Sequence, residues 1–135
     1  MSTIIADNLT GKTSAGSITV TSEGGAATQS LQQGLAKAWV NFNGTGTLAV
    51  GDSLNISSVT DSGTGDYDIN ISNTFASANY SATVSAYPHG SWNQVIHLQV
   101  PTNNSGNIYS VMSASDSGTY YDSSLVNSSV HGDLA

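Results

Sequence analysis

Apolar and polar residues alternate with a period of two along most of the chain from Trp39 onward. Val40 and Phe42 flank Asn41, Leu48 and Val50 follow, and Leu54, Ile56 and Val59 lead toward a turn. Tyr67, Ile69 and Ile71 alternate with Asp68 and Asn70, and Tyr80, Ala82, Val84 and Ala86 with Ser81, Thr83 and Ser85. Ile96, Leu98 and Val100 alternate with His97 and Gln99, and further runs lie at 108–112 and near 125–130. Successive side chains of a strand point to opposite faces, so this period marks strands with one dry and one wet face. Gly, Asn, Ser and Pro bound the runs, as turns require. The pattern predicts an all-β fold over residues 39–135: a small antiparallel β-sandwich, jelly-roll-like, with a polar outer surface.

The pattern changes upstream. Within residues 28–38, Leu31, Leu35 and Ala38 recur at four-then-three spacing, which lines one face of a helix, and Thr28 or Ser30 is placed to cap its start. So short a helix is marginal in water alone. It must lie on its own domain or bundle with copies of itself, and Leu31, Leu35 and Ala38 are the candidate oligomerisation stripe. Residues 1–27 are rich in Gly, Ser and Thr, with one strand-like piece at 17–21 and a closing Gly24-Gly25 pair. Such a segment buries too little apolar surface to fold alone, so it is expected to be a linker or an extended arm ordered by other chains. The expected organisation is an arm (1–27), a short helix (28–38) and a β domain (39–135).

Composition narrows the partners. Only 8% of residues are charged, against about 25% in ordinary soluble domains. The formal net charge is -7, and Lys12 and Lys37 are the only basic side chains apart from histidines. A nucleic-acid partner requires a basic stripe, and an anionic membrane surface requires basic clusters, so neither is expected. There is no cysteine, which excludes disulfides and thiolate metal sites. The opening MSTIIADNLT lacks a basic segment followed by a long apolar one, and no apolar run approaches the ~20 residues of a membrane span, so neither a secretory signal nor membrane insertion is expected.

The densest group of carboxylates is VTDSGTGDYDINI at residues 59–71. A calcium loop of the EF-hand type places acids at alternate positions and closes with a Glu, and here Asp61 and Asp66 are separated by Ser-Gly-Thr-Gly with no Glu after them. The repeat of calcium-binding β-rolls fails too, because Tyr67 occupies the Asp position. A hairpin fits better: Gly63 and Gly65 bend the chain, Tyr67, Ile69 and Ile71 face the core, and Asp66 and Asp68 face solvent. Asp61, Asp66, Asp68, Asp116 and Asp122 are the possible glycosidase acids, but nothing pairs two of them across a cleft. His89, His97 and His131 have no ligand spacing, and no G-x-S-x-G elbow occurs. No catalytic residue, metal site or cofactor is expected. The aromatic loops are more informative. Tyr87, His89 and Trp92 lie in one, Tyr120 and Tyr121 in another, and exposed rings in loops suit contact with a sugar or protein surface.

AKAWVNFNGTGT at residues 36–47, followed by DSLNISSVTDSGTGDYDINIS, ANYSATVSA and the terminal HGDLA, resembles a module of bacteriophage tail fibres and related virion appendages, most like those of marine phages. The resemblance spans about residues 34–135. The chain departs from it at Gly51, where members commonly carry a basic residue before the Asp-Ser pair. The resemblance implies a non-enzymatic structural protein of the virion surface. It implies a homotrimer whose β-rich tip contacts a host surface glycan or protein and whose arm attaches to another virion protein. Two other functions fit the residues: a capsid-attached decoration or head fibre without a receptor role, and a carbohydrate-binding or depolymerase module.

Overall fold

The computed structural model describes residues 3–14, 16–87, 94–99, 108–115 and 118–134; of 94–99, 108–113 and 115 the backbone alone is described. The chain divides into two compact units, Met1–Leu35 and Ala36–Ala135.

The second unit is all-β and antiparallel. One sheet has the strand order β4 (Ala49–Leu54), β3 (Ala38–Asn43), β10 (Val126–His131), β7 (Ser81–Ala86). The other runs β5 (Ile56–Gly63), β6 (Asp66–Ile71), β9 (Ile108–Ser115), β8 (Gln94–Gln99). Eight strands in two four-stranded sheets is the layering of a jelly-roll-like sandwich. Three strand pairs, β3–β4, β5–β6 and β8–β9, are consecutive in the chain and pair directly.

The period-two pattern accounts for the core. Ala38, Val40 and Phe42 of β3, Tyr67, Ile69 and Ile71 of β6, and Val126 and Val130 of β10 form one buried cluster with Phe75. The rings of Phe42 and Tyr67 meet edge to face across the sheets, with centroids 5.0 Å apart and planes at 73°. Burial of each large side chain stabilises the fold by roughly 1.5–3 kcal/mol. Ser128 takes the inward position between the two valines, and its hydroxyl donates to the Thr83 carbonyl at 3.1 Å. That bond offsets the cost of placing a hydroxyl in the core. At the end remote from the β5–β6 turn, Phe75 stacks on Tyr80 (4.9 Å, 21°) and bridges to Leu134.

Two expectations need correction. Leu54 and Ile56 do not share a strand. Asn55 between them has φ 56°, so β4 ends in one sheet and β5 begins in the other. The corner is fixed reciprocally: Asn73 N donates to Asn55 Oδ1 at 2.7 Å and Asn55 Nδ2 donates to the Asn73 carbonyl at 3.1 Å.

The helix expected over 28–38 is a single turn, α1 (Leu31–Gly34), capped by Ser30. Thr28–Ser30 is instead strand β2, paired antiparallel with β1 (Thr19–Thr21). Ala38 belongs to β3 and is fully buried in the β domain's core, so it is no part of an oligomerisation stripe. The boundary between compact units falls after Leu35, and the β1–β2 hairpin spans the expected junction between arm and helix.

Candidate functional site

The strand registers gather several loops at one end of the sandwich. Phe42, Val126 and Ala86 are cross-strand neighbours, so β3 and β7 end where β10 begins. The Phe42–Tyr67 contact brings the start of β6, and with it the β5–β6 turn, to the same end. The segment before β10 straps these parts together. Gly44 N donates to the Ser123 carbonyl at 2.9 Å, and Tyr87 N to that of Leu125 at 2.8 Å. Ser123 Oγ donates back to the Tyr87 carbonyl at 3.3 Å.

Asp122 fixes the strap to the second sheet. Its Oδ1 accepts from Gly65 N at 2.8 Å and from the Tyr67 hydroxyl at 3.2 Å. Burial, and secondarily the neighbouring Asp122 carboxylate, hold the Tyr67 phenol well above the usual tyrosine range. The other acids of the turn serve local geometry. Asp61 Oδ1 accepts from Gly63 N at 3.1 Å, and Asp68 Oδ2 accepts from Ser62 Oγ at 2.7 Å. Gly65 has φ 67°, a left-handed conformation that suits glycine. Tyr67, Ile69 and Ile71 are buried while Asp66 and Asp68 are partly exposed, as the hairpin reading requires. Among the described residues, no group of three or more His, Asp or Glu side chains is arranged to hold a metal ion.

Of the aromatic candidates, Tyr87 is 61% and Tyr120 50% exposed, and Tyr121 is half-buried. Tyr120 lines a shallow recess of about 270 Å³ with Gly63, Thr64 and Asp66. His89 and Trp92 lie outside the described residues. The loop end therefore offers rings and hydrogen-bonding edges on a firmly tied frame, a surface suited to binding. The pairing of Asp122 with Gly65 and Tyr67 was not legible in the sequence, because 57 and 55 positions separate the partners.

The first unit has a different character. Among its described residues none is buried, and Ile4 and Ile5 are 87% and 94% exposed. Leu31 is half-buried and Leu35 exposed. Both line a groove of about 400 Å³ with Leu9, Gly16, Ile18 and Gln32. The Leu31/Leu35 pair expected from the sequence thus shares one apolar surface, joined by Leu9 and Ile18, which helical spacing could not reveal.

No protein-family model, no curated protein and no solved structure matches this chain.

Proposed function

We propose that this chain is a non-enzymatic structural protein of a bacteriophage virion: a fibre subunit, homotrimeric, displayed on the particle surface. Its N-terminal unit assembles with other copies and docks on another virion protein, and its β-rich tip contacts the host surface through the loop end carrying Tyr87 and Tyr120.

The observation that carries this reading is the N-terminal unit. Below about 40 residues a chain usually needs disulfides, a metal or partner chains to hold a fold, and a lone two-stranded hairpin is marginal in water. This unit has no cysteine and no buried residue among those described, yet it displays Ile4, Ile5, Leu9, Val20 and Leu35. The groove that Leu9, Ile18, Leu31 and Leu35 share is apolar surface of the kind that marks an interaction site. Copies of the chain are the natural cover, since each supplies the same apolar groove to a symmetric interface. The three-fold state follows from the resemblance to trimeric fibre tips.

Sedimentation equilibrium of the full chain tests the proposal. The expected mass is three times the 13.8 kDa chain, and the double substitution Leu31→Ser, Leu35→Ser is expected to shift it toward one. A wild-type monomer at micromolar concentration would overturn the trimer. Immunogold labelling of whole particles tests the location, with label at fibre tips expected and label spread over the head surface counting against a receptor role.

A further inference from the structure

The outer face of the β4–β3–β10–β7 sheet carries two rows of uncharged hydrogen-bonding groups beside an aromatic ring. Ala38, Val40 and Phe42 face the core, so Trp39 and Asn41 face outward from β3. By the same alternation Asn127 and Ser129 face outward from β10, and Thr83 and Ser85 from β7. The registers align them across three strands as Asn41–Asn127–Ser85 and Trp39–Ser129–Thr83.

The polar groups are already ordered by one another. Asn41 Nδ2 donates to Asn127 Oδ1 at 2.6 Å, and Asn127 Nδ2 donates to Ser85 Oγ at 3.4 Å. The Thr83 and Ser129 hydroxyls share a bond of 2.9 Å. A shallow recess of about 220 Å³ lies over β7 and β10 along these residues. Leu54, 47% exposed, is paired with Trp39 and extends its apolar surface. Gly51 is the extra residue where the β3–β4 register shifts, and a Cβ there would stand 2.7 Å from Asn41 Oδ1. Its missing side chain leaves the Asn41 amide room at the end of its row.

We infer that this face binds a neutral oligosaccharide, one sugar ring resting on Trp39 and Leu54 and its hydroxyls meeting the Asn41–Asn127–Ser85 row. The chemistry matches on three counts. A sugar ring has an apolar C–H face that the open edge of the half-buried Trp39 ring and the exposed Leu54 can cover. Its hydroxyls both donate and accept, as amides and hydroxyls do, and each Asn side chain has two N–H donors and a two-lone-pair acceptor. The bonds named above use one position of Asn41 and two of Asn127, so both amides retain capacity toward a ligand.

Charge excludes the other classes of glycan. The two rows hold no ionic group, Asp52 is the cross-strand neighbour of Asn41, and the exposed His131 closes the end of β10. A phosphate, sulfate or uronate would meet no fixed cation in the rows and one carboxylate beside them. Mutual bonding within the rows lowers the ordering cost of capture. The surface is distinct from the loop end, and the inference does not depend on the virion reading.

The test is a titration of the isotope-labelled full chain, followed by NMR. The probes are neutral oligosaccharides of glucose, galactose, mannose and N-acetylglucosamine, with uronate- and sialic-acid-bearing counterparts. We expect a neutral probe to move the Trp39 indole and the Asn41 and Asn127 side-chain amide signals. Trp39→Ala and Asn127→Ala are each expected to weaken that binding by about tenfold, on the order of one lost stacking or hydrogen-bonding contact. Tyr120→Ser at the loop end is expected to leave it unchanged. The wild-type signal map decides the matter even where a variant fails to fold. Signals moving only at the loop end, binding confined to the anionic probes, or no movement with any probe at millimolar concentration would each overturn the inference.

Discussion

Asp122 links three parts of the β domain through a single oxygen, and its removal should be felt in all of them. Asp122→Ala leaves Gly65 N and the Tyr67 hydroxyl without their acceptor. The expected loss is about 1–3 kcal/mol, the cost of stranding partly buried polar groups. Tyr67→Phe removes one donor and should cost about 1 kcal/mol. Because both changes touch the same bond, the double variant should lose less than the sum, measurable by urea unfolding. The phenol also sets a pH dependence. Burial first, and Asp122 next, raise the Tyr67 phenol above its ordinary value of 10.0. Burial raises Tyr80 as well. The resulting stability is fully present below the unfolded value. It is lost as pH climbs above 10, where the unfolded chain releases a proton that the folded one keeps. Unfolding free energies measured from about pH 9 to about pH 11 should therefore fall, and fall less steeply in Tyr67→Phe. Superimposable profiles for the two proteins would assign the alkaline loss elsewhere.

The β5–β6 hairpin was readable from residues 59–71 because three signals agree there: apolar alternation, glycines at the bend and acids on the wet face. Gly65→Ala should cost about 1–2 kcal/mol, since an alanine must adopt the left-handed conformation, seen as a fall of several degrees in the thermal midpoint. Gly44→Ala should cost at least as much for a different reason, because a Cβ there would overlap the Tyr67 hydroxyl and ring. If Gly44→Ala unfolds at the wild-type temperature, the tight approach of the β3–β4 loop to Tyr67 is wrong. Where signals conflict, the sequence misleads. Ala38 fits a helical stripe with Leu31 and Leu35 and equally a strand with Val40 and Phe42. The strand prevails because it buries three side chains in one core. Asn55 hides a change of sheet inside the local alternation Leu54-Asn55-Ile56, since a single residue with positive φ leaves little mark on periodicity. The candidate binding surfaces were legible only in part. Tyr87 and Tyr120 stand out as loop aromatics. The row of Asn41, Asn127 and Ser85 depends on pairing between strands far apart in sequence, which a local pattern does not encode.

The two units differ in how each could be stable. Residues 36–135 enclose their own core, with Val40, Phe42, Tyr67, Ile69, Val126 and Val130 almost wholly shielded from water. Residues 3–35 enclose none among those described. The first kind of unit folds from internal burial, whereas the second, on the proposed reading, gains its burial against other copies of the chain, at roughly 25 cal/mol for each Å² of apolar surface covered. A fragment comprising residues 36–135 should therefore fold cooperatively as a monomer, with the β-type circular dichroism of the whole chain. The full chain should sediment as an assembly whose mass depends on concentration. Because the groove of Leu9, Ile18, Leu31 and Leu35 is lined by no charged residue among those described, that assembly should persist as salt is raised, unlike one held by ion pairs, which screening weakens. Circular dichroism and sedimentation of both proteins, at low and high salt, examine all three points. A monomeric fragment beside a multimeric full chain assigns assembly to the first unit. A fragment that still self-associates would move the interface onto the sandwich, and a fragment that fails to fold would mean that the β domain depends on chain upstream of Ala36.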